Sequence, residues 1–529
     1  MMGAGDGEAA SASVTTVDGQ AADAPAAAGD GEAASASAVA GDPAAAGDPA
    51  IAVDATTAGD ATVAAPRARR GVGRVAGAIP AWAILAAAWA CLLVYAWPGQ
   101  MTLDSYDHLR EARAGVYSDA HPPIINVTWR VIELVVSGPA GMLVVQSGLL
   151  LAGLYLILRR TFAPRPAAWW AAAVFVFPPV LTIMAVIWKD CMMAGLLVVG
   201  LAGLLSARRW ARLAGLLAML GAAAFRYNAF GATLPLVVLL FEWRPGMRWL
   251  PRYALATAAW LATTFAAFAI NGALTDKQMH YWHSSLAIFD IAGTLAHVDG
   301  TLPDAELRDE LAGTRFAVDH ELHAAIRATY TPRDFFPLLT NPTNPGHGLW
   351  TLPIDGYEPA PPAQRDAIER AWLHVVETYP GAFIEHRLAV MAEVLDLRVT
   401  RSMGGVVPRE LRYTYEAAAL GLHDQASHTQ LALTRMMRWI SRHTPLYVPW
   451  IYLVLTLVLL PFAWRQRDVL AMLLSGLVME ASLVPLVHSR DYRYSHWMAI
   501  MTLVSCIVLG ARRYRARRGE PGGAAPRPA

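Results

Sequence analysis

Apolar stretches close to the length that an α-helix needs to cross a bilayer, about twenty residues, recur along the chain. They are Ala76–Trp97, Pro139–Leu158, Pro166–Trp188, Cys191–Leu205, Leu213–Phe225, Ala229–Phe241, Tyr253–Ile270, Pro445–Trp464, Val469–Val487 and Trp497–Gly510. The pattern predicts an all-α polytopic membrane protein with about ten transmembrane helices. The polar stretches between them are unequal. Residues 98–138 form a first loop whose parts Asp104–Ala114 and Pro122–Val136 suit two short helices lying along the membrane surface. Residues 271–444 are too long for a loop and too polar to span, and predict a mostly helical extracytoplasmic domain.

Within that domain, Gln278–Val298 suits an amphipathic helix at the interface, and Asp304–Tyr330 carries apolar residues at mostly helical spacing. Thr331–Pro362 is rich in Pro, Asn and Gly and suits a loop, while Arg365–Tyr379 and Ala382–Leu397 suit helices again.

Arginine placement orients the spans. Arg67, Arg69, Arg70 and Arg74 precede the first, and later clusters follow on alternate loops at Arg159–Arg160, Arg208–Arg209, Arg244–Arg252, Arg465–Arg467 and Arg512–Arg518. Basic residues favour the cytoplasmic side, so both termini are expected inside and Asp104 outside. The resulting plan is a low-complexity, disordered tail over residues 1–66 and an N-terminal membrane core over 67–270. The domain over 271–444, membrane helices over 445–511 and a basic cytoplasmic tail over 512–529 complete it.

Composition agrees with this plan. Of 529 residues 55% are hydrophobic and 16% charged, against about 25% charged in an ordinary soluble domain. A net charge of +1 gives no field that would attract nucleic acid. The three cysteines, Cys91, Cys191 and Cys506, lie in or beside apolar stretches with no metal-binding or disulfide spacing.

Charged residues at the expected outer face are the candidate chemistry, because charge at membrane depth is costly and rarely idle. Asp104 and Asp107 are three apart, on one face of a short helix, and suit a general base with an orienting partner. The same spacing suits a solvated helix start, where acids are favoured anyway. Lys189 and Asp190 stand where one span ends and the next begins, and Arg226 and Asn228 between two short spans. Each set could bind phosphate or anchor at the interface. Arg490, Tyr492 and Arg493 combine guanidinium and phenol groups, suited either to a phosphate headgroup or to an aromatic belt.

Asp104 and Asp107, followed by Gly115, Tyr117, Asp119, His121, Pro122 and Pro123, resemble the first loop of the GT-C class of membrane glycosyltransferases. The nearest branch is the one of protein-mannosyltransferases and aminoarabinose transferases. Trp188-Lys189-Asp190 and Arg226-Tyr227-Asn228 are similar to segments of bacterial relatives. The resemblance covers Ala76 to Phe241 best. It implies a polyprenyl-phosphate-sugar donor, a cell-envelope glycan, lipid or protein as acceptor, inversion at the sugar, and chemistry on the outer face of the inner membrane. Carried over, Asp104 is the base, with Asp107 its partner. His121, Lys189, Asp190, Arg226, Asn228, Arg490, Tyr492 and Arg493 would hold the substrate. The chain departs from the pattern at Ser105, where relatives often place a second acid. A divalent metal therefore stays an open expectation. A flippase for lipid-linked saccharide, or an envelope assembly protein without catalysis, is the alternative; the spans show no internal repeat that would favour transport.

Overall fold

The computed structural model describes residues 79–244, 246–318, 321–340, 348–351, 359–399, 406, 414–422 and 426–519. The tract 1–66, the arginines at 67, 69, 70 and 74, and residues 520–529 lie outside the described residues. Among the described residues the chain is all-helical, with one two-residue parallel pairing of β1 (Leu339–Thr340) and β2 (Trp350–Thr351).

Prolines and glycines set the breaks. α1 (Ala81–Ala96) follows Pro80 and stops before Pro98 and Gly99. Gly99 has φ +134°, and a Cβ there would come within 2.9 Å of Ile187, so glycine meets both demands. α2 (Leu103–Ala114) opens on a Thr102/Ser105 capping box and closes at Gly115 in the left-handed region. α3 (Ile124–Glu133) follows Pro122 and Pro123. These are the two short helices that the sequence pattern predicts for the first loop.

α4 (Ala140–Leu158), α5 (Pro164–Phe175), α6 (Pro178–Met184), α7 (Lys189–Leu204), α8 (Arg209–Phe225), α9 (Ala229–Leu240) and α10 (Trp249–Leu274) follow. The stretch expected as one span, Pro166–Trp188, is broken: α5 and α6 meet at 71°. The cause is Pro178-Pro179, which removes two N–H donors and turns Phe177 to ψ 127°. Glycines let α7 and α8 approach closely. A Cβ on Gly203 would lie 2.6 Å from the Ala211 carbonyl, and one on Gly215 2.8 Å from that of Gly200.

A π-turn at His283–Ala287 leads into α11 (Ile288–Ala296), followed by α12 (Asp304–Glu310), α13 (Leu322–Thr329), α14 (Pro362–Thr378), α15 (Pro380–Val394), α16 (Thr414–Ala419) and α17 (His428–His443). α11 is not an interfacial helix: every residue from Ile288 to Leu295 is buried. Its Asp290 accepts from His386 at 3.1 Å and Trp372 at 2.9 Å and is paired with Arg387, so the polar face of the pattern belongs to a buried network. The stretch Asp304–Tyr330 likewise forms two helices, α12 and α13, because the chain turns at Leu311–Thr314 with Gly313 at φ +81°. This core continues into Tyr452, Leu483 and Met498 of the last helices, α18 (Pro449–Ala463), α19 (Arg467–Ala481) and α20 (His496–Arg517), and the turn after α19.

Among the described residues three helical stretches are long and apolar enough to cross a membrane: Ala140–Leu158, Trp249–Leu274 and Tyr492–Arg517. The bent pair α5–α6 makes a fourth if it counts as one span. α1, α9 and α18 are apolar but shorter. Only 11% of the apolar stretch of α10 is buried, and Phe265 and Trp249 are exposed on it. That surface is much more apolar than a water-facing helix presents.

Candidate active site

Two chain segments distant in sequence are knitted together to place Asp104 beside Lys189. After α6 the chain runs extended through Ala185–Trp188 and pairs with Gln100, whose N–H donates to Ala185 O and whose carbonyl accepts from Ile187 N–H, both at 2.9 Å. Gln146 of α4 supports this strand by donating to Val186 O at 2.7 Å. Ser105 Oγ donates to Ile187 O at 2.8 Å, and Trp188 Nε1 donates to Thr102 Oγ1 at 2.9 Å. The first turn of α2 is thereby fixed against the first turn of α7. Ser105 is fully buried in this seam. A carboxylate at that position would face the Ile187 carbonyl oxygen, so the seam favours a hydroxyl there.

Asp104 Oδ2 accepts from Arg493 Nη1 at 2.6 Å. Arg493 is itself held by Asp491, through Nε at 2.9 Å, and lies over the rings of Trp188 at 4.9 Å and Tyr494 at 5.5 Å. Burial alone would push the Asp104 carboxyl up, but Arg493, His121 and Lys189 together outweigh it and hold it well below the usual carboxylate range. Asp104 is therefore a carboxylate held ionised chiefly by Arg493.

Lys189 Nζ donates to His121 Nδ1 at 2.6 Å. The His121 ring lies 4.8 Å from that of His108, whose Nδ1 bonds Asn126 Oδ1 at 2.8 Å. Asn126 in turn donates to Glu111 Oε2 at 2.5 Å, which also accepts from the Ser118 N–H at 3.0 Å. The loop that carries His121 is docked on the segment after α10: Asp119 N–H donates to Lys277 O at 3.1 Å, and Asp119 Oδ1 accepts from Met279 N–H at 2.6 Å. Burial and the neighbouring Lys189 push the His108 imidazole down to about 3, and burial holds His121 well below its ordinary value.

A pH response follows from the sign of these shifts. The unfolded chain binds a proton at residue 108 near pH 6.5 while the folded chain refuses it until far lower. Stability conferred by the neutral ring is complete above pH 6.5 and is lost as the pH falls toward 3. Between pH 7 and 5 His108 alone should cost about 2 kcal/mol. The thermal midpoint of the purified chain should drop over this interval, and His108→Gln should flatten the drop. An unchanged slope in His108→Gln would show that the ring is protonated in the folded state.

Arg226 forms an ion pair with the buried Asp190, and its Nε donates to Asn228 Oδ1 at 2.8 Å. Asn228 Nδ2 reaches Ser482 Oγ at 3.0 Å, and the Arg226 guanidinium lies over Tyr494 at 5.0 Å. Tyr494 thus stands between Arg226 and Arg493.

The structure accordingly brings together Asp104, His121, Lys189, Asp190, Arg226, Asn228 and Arg493. Three expected residues lie apart. Asp107 pairs with Arg110 at 2.5 Å, with its side chain 37% exposed. Arg490 pairs with Asp396 at 2.5 Å and Glu393 at 3.8 Å, and Tyr492 is buried against Tyr447. Sequence reasoning missed His108, Trp188 and Tyr494 as members of the site. His108 was within reach of it, one helical turn after Asp104. Trp188 and Tyr494 adjoin residues already singled out, but nothing in their spacing marks them as the two rings on which Arg493 rests.

Among the described residues no group of three His, Cys, Asp or Glu side chains is placed to hold a metal ion. Beside Asp104 the position of a dication is taken by the Arg493 guanidinium, so the residues present do not fit one. Comparison with protein-family models, curated proteins and solved structures yields no match.

Proposed function

We propose that the chain is a multi-pass membrane enzyme of about ten spans that moves a sugar from a polyprenyl-phosphate donor to a cell-envelope acceptor on the extracytoplasmic face. The observation that carries this reading is an ionised carboxylate, Asp104, set among Arg493, Lys189 and His121, with Arg226 close by. Glycosyl transfer from a lipid phosphate needs both halves of that arrangement. The acceptor hydroxyl gives its proton to the Asp104 carboxylate as its oxygen bonds the anomeric carbon. The bond from that carbon to the phosphate oxygen breaks on the opposite face, and the lipid phosphate departs with the electron pair. Cations fixed beforehand stabilise the charge it gains, and the sugar is inverted.

Asp104 paired with Arg493 is a poor base at rest, since the guanidinium favours its charged form. Donor binding removes that obstacle. A phosphate offers Arg493 a bidentate partner of higher charge, and the carboxylate released from the pair gains proton affinity. The base is thereby switched on only when the leaving group is in place. Sidedness is supported by the placement of charge: Arg252, Arg467 and Arg512 gather at the helix ends opposite Lys189, Arg226 and Arg493.

Reconstitution in liposomes with labelled polyprenyl-phosphate sugars and an envelope extract tests the reading. The expected result is release of polyprenyl phosphate together with a labelled acceptor. Movement of the intact lipid-linked sugar across the bilayer, without cleavage, would overturn it in favour of transport.

A further inference from the structure

A second charged site lies at the other end of the helices. A cavity of about 930 Å³ opens between the end of α4, the α7–α8 hairpin and the end of α9. Its polar wall carries Arg160, Arg208, Arg212, Arg252 and Arg467, and its other wall is apolar, with Leu156, Val199 and Leu240 among the lining residues. The two carboxylates on the wall are already engaged. Glu242 pairs with Arg252 at 2.7 Å, and Asp468 pairs with Arg512.

Arg212 is the informative residue. It is only 6% exposed, its Nε has no hydrogen-bond partner, and its one bond is a long one from Nη2 to Ala207 O at 3.4 Å. Among the described residues no carboxylate pairs with it. A buried guanidinium without a counter-ion is costly, and it faces a cavity whose wall is short of negative charge. Gly203 and Gly215 bring α7 and α8 together at this same place, so the hairpin holds the arginine rigidly.

We infer that this cavity binds a phosphate group, with Arg212 as its central ligand, and that the group belongs to an anionic phospholipid whose chain lies on the apolar wall. Basic pockets between helices at a membrane face have this chemistry. Arg160 and Arg208 at the rim add charge, and the planar fork of Arg212 matches two phosphate oxygens. The inference rests on the membrane reading but not on the glycosyltransferase reading, and its test does not use enzymatic activity.

The full chain, purified in zwitterionic micelles, would be titrated with phosphatidylglycerol, phosphatidylcholine or inorganic phosphate, following the thermal midpoint and counting retained lipids by native mass spectrometry. Phosphatidylglycerol should raise the midpoint and saturate near one tightly held lipid, and phosphatidylcholine should not. Arg212→Gln should weaken apparent binding about tenfold or more. Arg209→Gln, which removes an equal charge from the same hairpin outside the cavity, should leave it unchanged. Arg160→Gln keeps the test open if Arg212→Gln fails to fold, and should weaken binding in the same direction. A midpoint raised by inorganic phosphate alone, and lost in Arg212→Gln, would support the phosphate site with a soluble ligand in place of the lipid. Equal response to both lipids, or wild-type binding by Arg212→Gln and Arg160→Gln, would overturn the inference.

Discussion

Asp104→Asn should lower the proposed sugar transfer by about 10²–10⁴-fold, the usual contribution of a positioned general base, and leave the fold intact. Asparagine keeps the size of the side chain and can still accept from Arg493 Nη1, so the seam around Ser105, Ile187 and Trp188 has no reason to open. What is lost is the ability to take a proton. Arg493 keeps Asp491 as a counter-ion at 2.9 Å, so the substitution does not strand a guanidinium. Asp107→Asn is the matched control. That carboxylate pairs with Arg110 at a half-exposed surface, and its loss should change the rate by less than about fivefold, since exposed pairs contribute little. The comparison is read from initial rates of polyprenyl-phosphate release at equal protein, with the thermal midpoint of each variant alongside. Wild-type turnover by Asp104→Asn would remove the base from the mechanism, and equal losses in both variants would point to a general effect of charge on α2.

The helical plan is legible in the sequence wherever local rules decide it. The Thr102/Ser105 cap, Gly115 and the paired prolines at 122–123 set the limits of α2 and α3, and all three are short-range signals. Pro178-Pro179 carries the same kind of signal, yet the surrounding apolar run reads as one span because hydropathy averages across the break. The interfacial expectation for Gln278–Val298 fails for a different reason. Asp290 looks like a polar-face residue until His386 and Arg387, about a hundred positions later, arrive to bury it. Partners that far away leave no periodic trace. The site follows the same division. Asp104, Lys189 and Arg226 could be singled out one by one, because an isolated charge beside an apolar run stands out. That Arg493 and not Arg490 meets Asp104 could not, since both lie in one short polar segment. Only the 3₁₀ turn at Tyr492–Ser495 aims them in different directions, Arg490 toward Asp396 and Arg493 toward Asp104.

That division of labour sets the second large effect. Arg493→Gln should lower kcat/KM for the lipid donor by about 10³-fold or more, the range found when a phosphate-clamping guanidinium or an oxyanion donor is removed. Arg490→Gln, which releases Asp396 and Glu393 and leaves the Arg493–Asp104 pair in place, should act on stability and leave the chemistry near wild type. Arg493→Lys keeps the charge but loses the flat group that rests on Trp188 and Tyr494, and should recover only a small part of the rate. The pH profile separates a chemical role from a structural one. Arg493 is one of the groups that hold the Asp104 carboxyl well below its ordinary range, so its removal must raise that value. The acidic limb of the rate profile, which marks the loss of the free base as the pH falls, should therefore move to higher pH in Arg493→Gln. An arginine that merely braced the turn after α19 would lower the thermal midpoint and leave the limb where it is. A slow Arg493→Gln enzyme with an unmoved acidic limb would break the link between Arg493 and the base, and with it the idea that the arriving phosphate turns Asp104 on.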